Sequence, residues 1–234
     1  PAPARIIQAD IVGPSLGQEA IQAGLWSFVI ALGIVMVYMI FYYSGAGAAS
    51  DLALIVNMFF IFGVLASIGA VLTLPGIAGI VLTIGMAVDA NVLIYERIRE
   101  ELNNGKGLRL AIEDGYKNAY SSIIDANVTT FLTGVILFAF GTGPIRGFAT
   151  TLIIGILTSL FCAIFITRLV FEARLSSKKG VAFFTNATRN AFTKFNIDFL
   201  AKRKIAYTIS GLIILTGIIS LSTRGLNYGV DFVG

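Results

Sequence analysis

Six times along its 234 residues this chain runs for about 17–25 positions with almost no charged side chain, which is the length an α-helix needs to cross a roughly 30 Å hydrocarbon layer. The runs fall at approximately 24–43, 52–72, 77–95, 123–141, 149–171 and 205–222. A soluble domain of this size could not bury them all: 56% of the residues are hydrophobic, 18 are Phe, only 13% are charged, and the mean hydropathy is +0.86. In lipid each backbone polar group must be satisfied within the segment itself, so the predicted fold is an all-α polytopic bundle of six transmembrane helices.

Charge orients that bundle. Residues 96–122 carry Arg97, Arg99, Lys106, Arg109 and Lys117, and residues 168–204 carry nine Lys or Arg, whereas the other connections hold almost none. Positive residues collect on the cytoplasmic side of a membrane, so loops 96–122 and 172–204 are expected inside, and the "TLPG" break, the "GTGPIRG" turn and both chain ends outside. The net charge of +4 therefore reports topology more than an acidic partner. The first residues read as a strand, a Gly-Pro-Ser turn and a leading helix, and "LNYGVDFVG" ends within an apparent strand, so short extracytoplasmic strand remnants are expected at both ends of a piece of a longer polypeptide. The expected organisation is the end of an exterior domain in 1–23, a five-helix membrane region in 24–171, a basic cytoplasmic linker in 172–204, and a sixth helix leading to a further exterior domain in 205–234.

Two connections carry helical patterning. In 108–120, Leu108, Ala111, Ile112, Gly115, Tyr116, Ala119 and Tyr120 share one stripe, which predicts a helix lying on the inner membrane surface. In 183–204, Phe184, Phe192, Phe195 and Phe199 alternate with basic residues, which suits an interfacial helix beside anionic lipid better than a nucleic-acid surface. With no His and the single Cys162 there is neither a disulfide nor a metal-ligand cluster, and no nucleophile–base pair or nucleotide loop is visible. No cofactor and no enzymatic activity are expected.

The charged residue lying deepest within any of the runs is Asp89, in "AVDANVLIYERI". It lies 12 residues beyond Ile77, about 18 Å along a helix and inside the hydrocarbon. A carboxylate at that depth costs about 2.5–3.5 kcal/mol on insertion scales, so it should face helices or water. Uncharged when alone and ionised beside a cation, such a group is a candidate proton carrier; it can also be an acid that merely bonds a neighbouring helix. No Lys or Arg lies at its depth in any of the six runs.

The Asp-Ala-Asn-Val of 89–92 recurs at 125–128. Asn91, about 200° around the helix from Asp89, reads as interhelical glue first and as part of a site second. Asp125 and Asn127 lie near the inner surface, where Asp125 is either interfacial or functional. Thr129, Thr130 and Thr133 follow on the same helix, and their hydroxyls can return to its own carbonyls or reach Asp89. Gly63, Gly69, Gly76, Gly79 and Gly85 are expected to bring the second and third spans close together.

Several stretches resemble a known family. "VGPSLG", "LPGIAGIVLTIGMAVDANVLIYERIREE" and "GPIRGFATTLIIGILTSLF" are similar to SecD, and "FNIDFLAKRKIAYTISGLIILTGIISLSTRGLNYGVDFVG" to the start of SecF, in the SecD/SecF family of bacterial protein-export membrane proteins within the resistance-nodulation-division superfamily. The resemblance covers essentially the whole chain and, with both parts together, implies a SecDF fusion and half of a twelve-helix bundle. It implies an accessory subunit that uses proton flow to promote late export of unfolded secretory polypeptides, working with the SecYEG channel, SecA, YajC and YidC. Asp89 matches the family's proton-carrying Asp; its cation is implied to be an Arg of the SecF half, and Ser122 stands at the corresponding place here. The alternatives are a proton-independent scaffold for translocon components and a small-molecule exporter of the same superfamily.

Overall fold

The computed structural model describes residues 14–177, 180–185, 188, 200 and 202–225. Its helices are α1 (Pro14–Tyr43), α2 (Gly45–Ser67), α3 (Leu74–Asn103), α4 (Leu108–Phe140), α5 (Gly143–Phe161), α6 (Thr167–Ser176) and α7 (Arg203–Arg224). A π-helical turn, Cys162–Ile166, joins α5 to α6 without interrupting the rod. Among the described residues six segments are long and apolar enough to cross a bilayer, the fifth being the whole rod Gly143–Ser176. The chain is a multi-pass helical membrane protein.

The chain divides into two units, Pro1–Arg189 and Asn190–Gly234. In the first, α3 packs against α1, α2, α4 and α5. Its start is set locally: Pro75 sits in the first turn, where its missing N–H costs nothing, and Thr73 Oγ1 accepts from Gly76 N at 3.1 Å. Its end is set by Gly105, whose φ of 86° turns the chain into α4 at little steric cost. In the second unit α7 is a single helix with an exposed surface.

Two kinds of packing hold the first unit. Across the middle, where lipid is as apolar as Leu, close backbone approach does the work. A Cβ on Gly155 of α5 would stand 2.5 Å from Thr83 of α3, so only glycine fits there. Glycine does not bring α2 and α3 together as the sequence suggests. Gly76 and Gly79 face Thr151 and Phe148 of α5, and nothing lies within 4 Å of a Cβ on Gly63, Gly69 or Gly85. Sequence spacing identified small residues but not which neighbour each one meets.

At the end of the bundle that carries the basic connections, aromatic rings take over. Tyr95 sits 5.3 Å from Tyr43, 5.7 Å from Phe171 and 5.8 Å from Phe183, ring centre to ring centre. Such pairs contribute about 0.5–1.5 kcal/mol each beyond their burial. Phe183 belongs to a strap, residues 180–185, that folds beneath the turn between α1 and α2. Ala182 O accepts from Ala46 N at 2.9 Å, satisfying one of the N–H groups that a helix start leaves free. Thr188 Oγ1 donates to Tyr42 O at 2.9 Å, and Arg99 Nη2 donates to Thr188 O at 3.0 Å.

Residues 108–120 do not form a separate surface helix. They are the first part of α4, which runs unbroken to Phe140. The apolar stripe is real, but it faces protein: Ala111, Ile112, Tyr116 and Ala119 are buried with Ile98 and Phe171. A Cβ on Gly115 would stand 2.9 Å from Ile98 N. Of the interfacial helix expected over 183–204, residues 183–185 are non-helical and Arg203 and Lys204 open α7, while 189–199 lie outside the described residues, as do both expected strand remnants.

Candidate functional site

Asp89 lies halfway along α3, about 22 Å from Leu74 at 1.5 Å per residue. Met86, Ala90 and Leu93 share its stripe, and α4 opposes them with Ser122, Asn127 and Thr130 among others. Between the two helices these residues line an open cleft of about 130 Å³. Ala90, Ala126 and Ser122 are too small to fill it. Asp89 is exposed there, and none of the ion pairs among the described residues includes it. Ser122, the position that the resemblance matches to an arginine, lines the same cleft.

The other expected site residues scatter. Asn91 points away from the cleft, is buried, and donates from Nδ2 to Ser50 Oγ of α2 at 2.9 Å. Asn127 lines the cleft, with its Nδ2 returned to Ile123 O at 2.8 Å. Thr130 also lines it, its hydroxyl donating to Ala126 O at 3.3 Å. Thr129 and Thr133 close the same kind of bond to Asp125 O and Thr129 O, at 3.2 and 3.1 Å. Asp125 is exposed and does not line the cleft. The cleft thus gathers Asp89, Asn127 and Thr130, and leaves Asn91, Asp125 and Thr129 outside.

Sequence reading singled out none of Ser50, Asp51 and Asn57. Placing the second span at 52–72 left Ser50 and Asp51 at its edge, whereas α2 begins at Gly45 and carries both inside, with Asp51 only 4% exposed. The available signal was the stripe Ser50, Leu54, Asn57, Ile61, in which polar residues occupy core positions of an apolar helix.

Long apolar helices, one of them carrying an acid in a cleft with no basic partner among the described residues, define an integral membrane protein. Comparison with known proteins makes this specific. The family described as "Protein export membrane protein SecD/SecF, C-terminal" matches residues 2–174, and the "SecD/SecF GG Motif" matches 219–234. The protein translocase subunit SecD of Rhodothermus marinus is 59% identical over 179 residues, 76% of this chain and 29% of that one. The SecD subunit of Desulfurispirillum indicum is 56% identical over 178 residues, 76% of this chain and 35% of that one. The crystal structure of SecDF from Thermus thermophilus, a translocon-associated membrane protein, superposes with a TM-score of 0.85 at 36% identity, covering 95% of this chain and 30% of that one. This chain belongs to the SecD/SecF family of protein-export membrane proteins, and it spans about a third of the length of these relatives.

Proposed function

We propose that this chain is the proton-coupled membrane part of an accessory subunit of the Sec translocase, promoting the late export of secretory polypeptides across the bacterial cytoplasmic membrane. The observation that carries this reading is Asp89: an acid midway along a spanning helix, open to a cleft, with no cation against it among the described residues. A carboxylate so placed needs a counter-charge, and a proton and an arginine from a facing helix are the two that suit it. Alternation between them breaks and restores an ion pair at the cleft, and that change shifts the facing helices. The facing arginine comes from the SecF half, and Ser122 leaves room for it across the cleft.

The partners that follow are the SecYEG channel, SecA, YajC, YidC, membrane lipid and the unfolded secretory chain. The basic loops 96–122 and 172–204 lie in the cytoplasm and both ends of the chain face outward, by the distribution of Lys and Arg. The test is Asp89→Asn in the full-length protein, with proton flux into membrane vesicles and preprotein export both measured. Loss of both is expected. Export and flux at the unsubstituted level would overturn the proton-coupled reading in favour of a scaffold.

A further inference from the structure

On the side of α3 away from Asp89, α2 and α3 enclose a second polar group. Ser50, Asp51 and Asn57 come from α2, and Asn91 and Tyr95 from α3; all five are buried, with Asp51 the most exposed at 4%. One good bond joins the helices, from Asn91 Nδ2 to Ser50 Oγ. Both carboxylate oxygens of Asp51, both amide atoms of Asn57 and Asn91 Oδ1 are buried with no hydrogen-bond partner among the described residues. The Tyr95 hydroxyl faces Ser50 and lies within electrostatic reach of Asp51, yet closes no bond of good geometry. Every unpaired buried side-chain nitrogen or oxygen among the described residues lies on α2 or α3.

An apolar seam of the same volume would be more stable, because each buried polar atom without a partner loses its hydration and gains nothing in return. Such a group persists for what it binds. Oxygen atoms dominate it, one of them a carboxylate, so the ligand is a cation. The surroundings narrow the choice. The elements packed against this end of α2 carry the titratable groups Tyr42 and Tyr43 of α1, Tyr95, Glu96 and Arg99 of α3, Cys162 of the π turn and Arg168, Glu172 and Arg174 of α6, and none of these cations forms an ion pair with Asp51. The nearby cations are engaged elsewhere: Arg99 pairs with Glu96 at 2.8 Å, and Arg168 with Glu172 at 3.1 Å. Asp51 forms no ion pair among the described residues, and a proton is the cation that needs no space of its own beside a carboxylate so buried.

We propose that Asp51 is a second proton-binding carboxylate of this chain, buried between α2 and α3 and distinct from the Asp89 cleft. Asp51 lies six residues into α2, about 9 Å from its start, at the end of the bundle where the strap and the basic connections sit. The proton arrives on water from that end: hydronium gives it to a carboxylate oxygen, a water molecule leaves, and the reverse step returns it. Ionised Asp51 draws the Tyr95 hydroxyl toward it, and protonated Asp51 releases that hydroxyl to Ser50. Either change is felt by α3, which carries Asp89 on its other face. Proton binding at Asp51 stands on its own geometry; its role in transport rests on the proton-coupled reading above.

The test is infrared difference spectroscopy across a pH titration of the full-length protein in liposomes, reading the C=O stretch of protonated carboxyl groups. Asp51→Asn is expected to remove one titrating band that Asp89→Asn retains. An unchanged set of titrating bands in Asp51→Asn overturns the proposal. Should that variant not accumulate, Asp51→Glu must shift the same band, and a band that stays in place overturns the assignment equally. Tyr95→Phe is expected to move the midpoint of the Asp51 band and leave the Asp89 band where it is; an unmoved midpoint overturns the coupling to Tyr95. If the Asp51 band titrates while Asp89→Asn leaves proton flux intact, the second site stands and the proton-coupled export reading falls.

Discussion

The sequence Asp-Ala-Asn-Val occurs at 89–92 in α3 and at 125–128 in α4, and the two copies do opposite things. In α3 the acid opens onto the cleft and the amide is buried against α2, bonded to Ser50. In α4 the amide lines the cleft and the acid points elsewhere, exposed. Acid and amide are about 200° apart on any helix, so one of them must turn away from whatever the other faces. Which one turns away is decided by the rotation of the helix. Close contacts fix that rotation, Gly79 and Thr83 of α3 against α5, and Gly115 of α4 against Ile98. The cleft takes its acid from one copy and its amide from the other. An identical motif therefore carries no role by itself; the packing of the helix that bears it does.

The largest expected effect separates the two acids. In the full-length protein, Asp89→Asn should lower export at least tenfold, a loss of about 1.4 kcal/mol or more in the step it serves, whereas Asp125→Asn should stay within about twofold of the unsubstituted protein. Export assayed from the same membranes decides it. Equal losses in the two variants would make the copies equivalent and break the comparison.

Rotation itself can be tested next. Gly155→Leu forces a side chain into the space held by Thr83, which should destabilise the protein by about 1–3 kcal/mol and turn the stripe of α3 that carries Asp89. Gly63→Ala, where the added Cβ meets nothing within 4 Å, should be neutral or stabilising by up to about 1 kcal/mol. Unfolding in detergent measures both, and the accessibility of a cysteine placed at position 89 reports the rotation.

How much of this could be read from the sequence divides along the same line. Hydropathy located every span, because a long apolar run has no alternative to a helix in lipid. It misjudged the ends: α3 continues to Asn103 and α4 starts at Leu108, since charged turns projecting beyond the lipid are still helix but no longer apolar. Asp51 was lost for the same reason, at the edge of a window that started seven residues after α2 does. The place of Asp89 midway along its helix was legible from residue counting alone. Its neighbours were not, since the helix facing Gly76 and the helix facing Asn127 are set by three-dimensional packing that no spacing encodes.

A smaller difference separates the two amides. Asn91→Ala removes the bond between α2 and α3 and leaves a gap in a closed seam, with an expected cost of about 1–2 kcal/mol. Asn127→Ala removes only a bond to its own helix at the edge of an open cleft, and should cost about 0.5 kcal/mol or less. Chemical unfolding of the two variants side by side is the measurement. A larger loss at 127 would mean that α4, and not α3, is tied through its motif.

The smallest effect lies beyond the lipid, where Lys106 joins the helices that carry the two copies. Its Nζ contacts Asp114 of α4 at 2.5 Å and Glu101 of α3 at 2.7 Å. The bonds to Asp114 and then Glu101 raise the Lys106 ammonium above its ordinary range. A raised value in the folded state means that the contribution is complete below the unfolded lysine's value, about 10.4, and is lost as pH climbs through the higher folded one. The side chain is about a third exposed to solvent, which screens the interaction, so the effect is small. The thermal midpoint of the unsubstituted protein should therefore fall slightly more steeply above about pH 10 than that of Lys106→Met, and the two should run parallel below it. Parallel curves throughout would show that glycine and aromatic packing alone hold α3 and α4 in register, and that the salt link adds nothing to the geometry of the cleft.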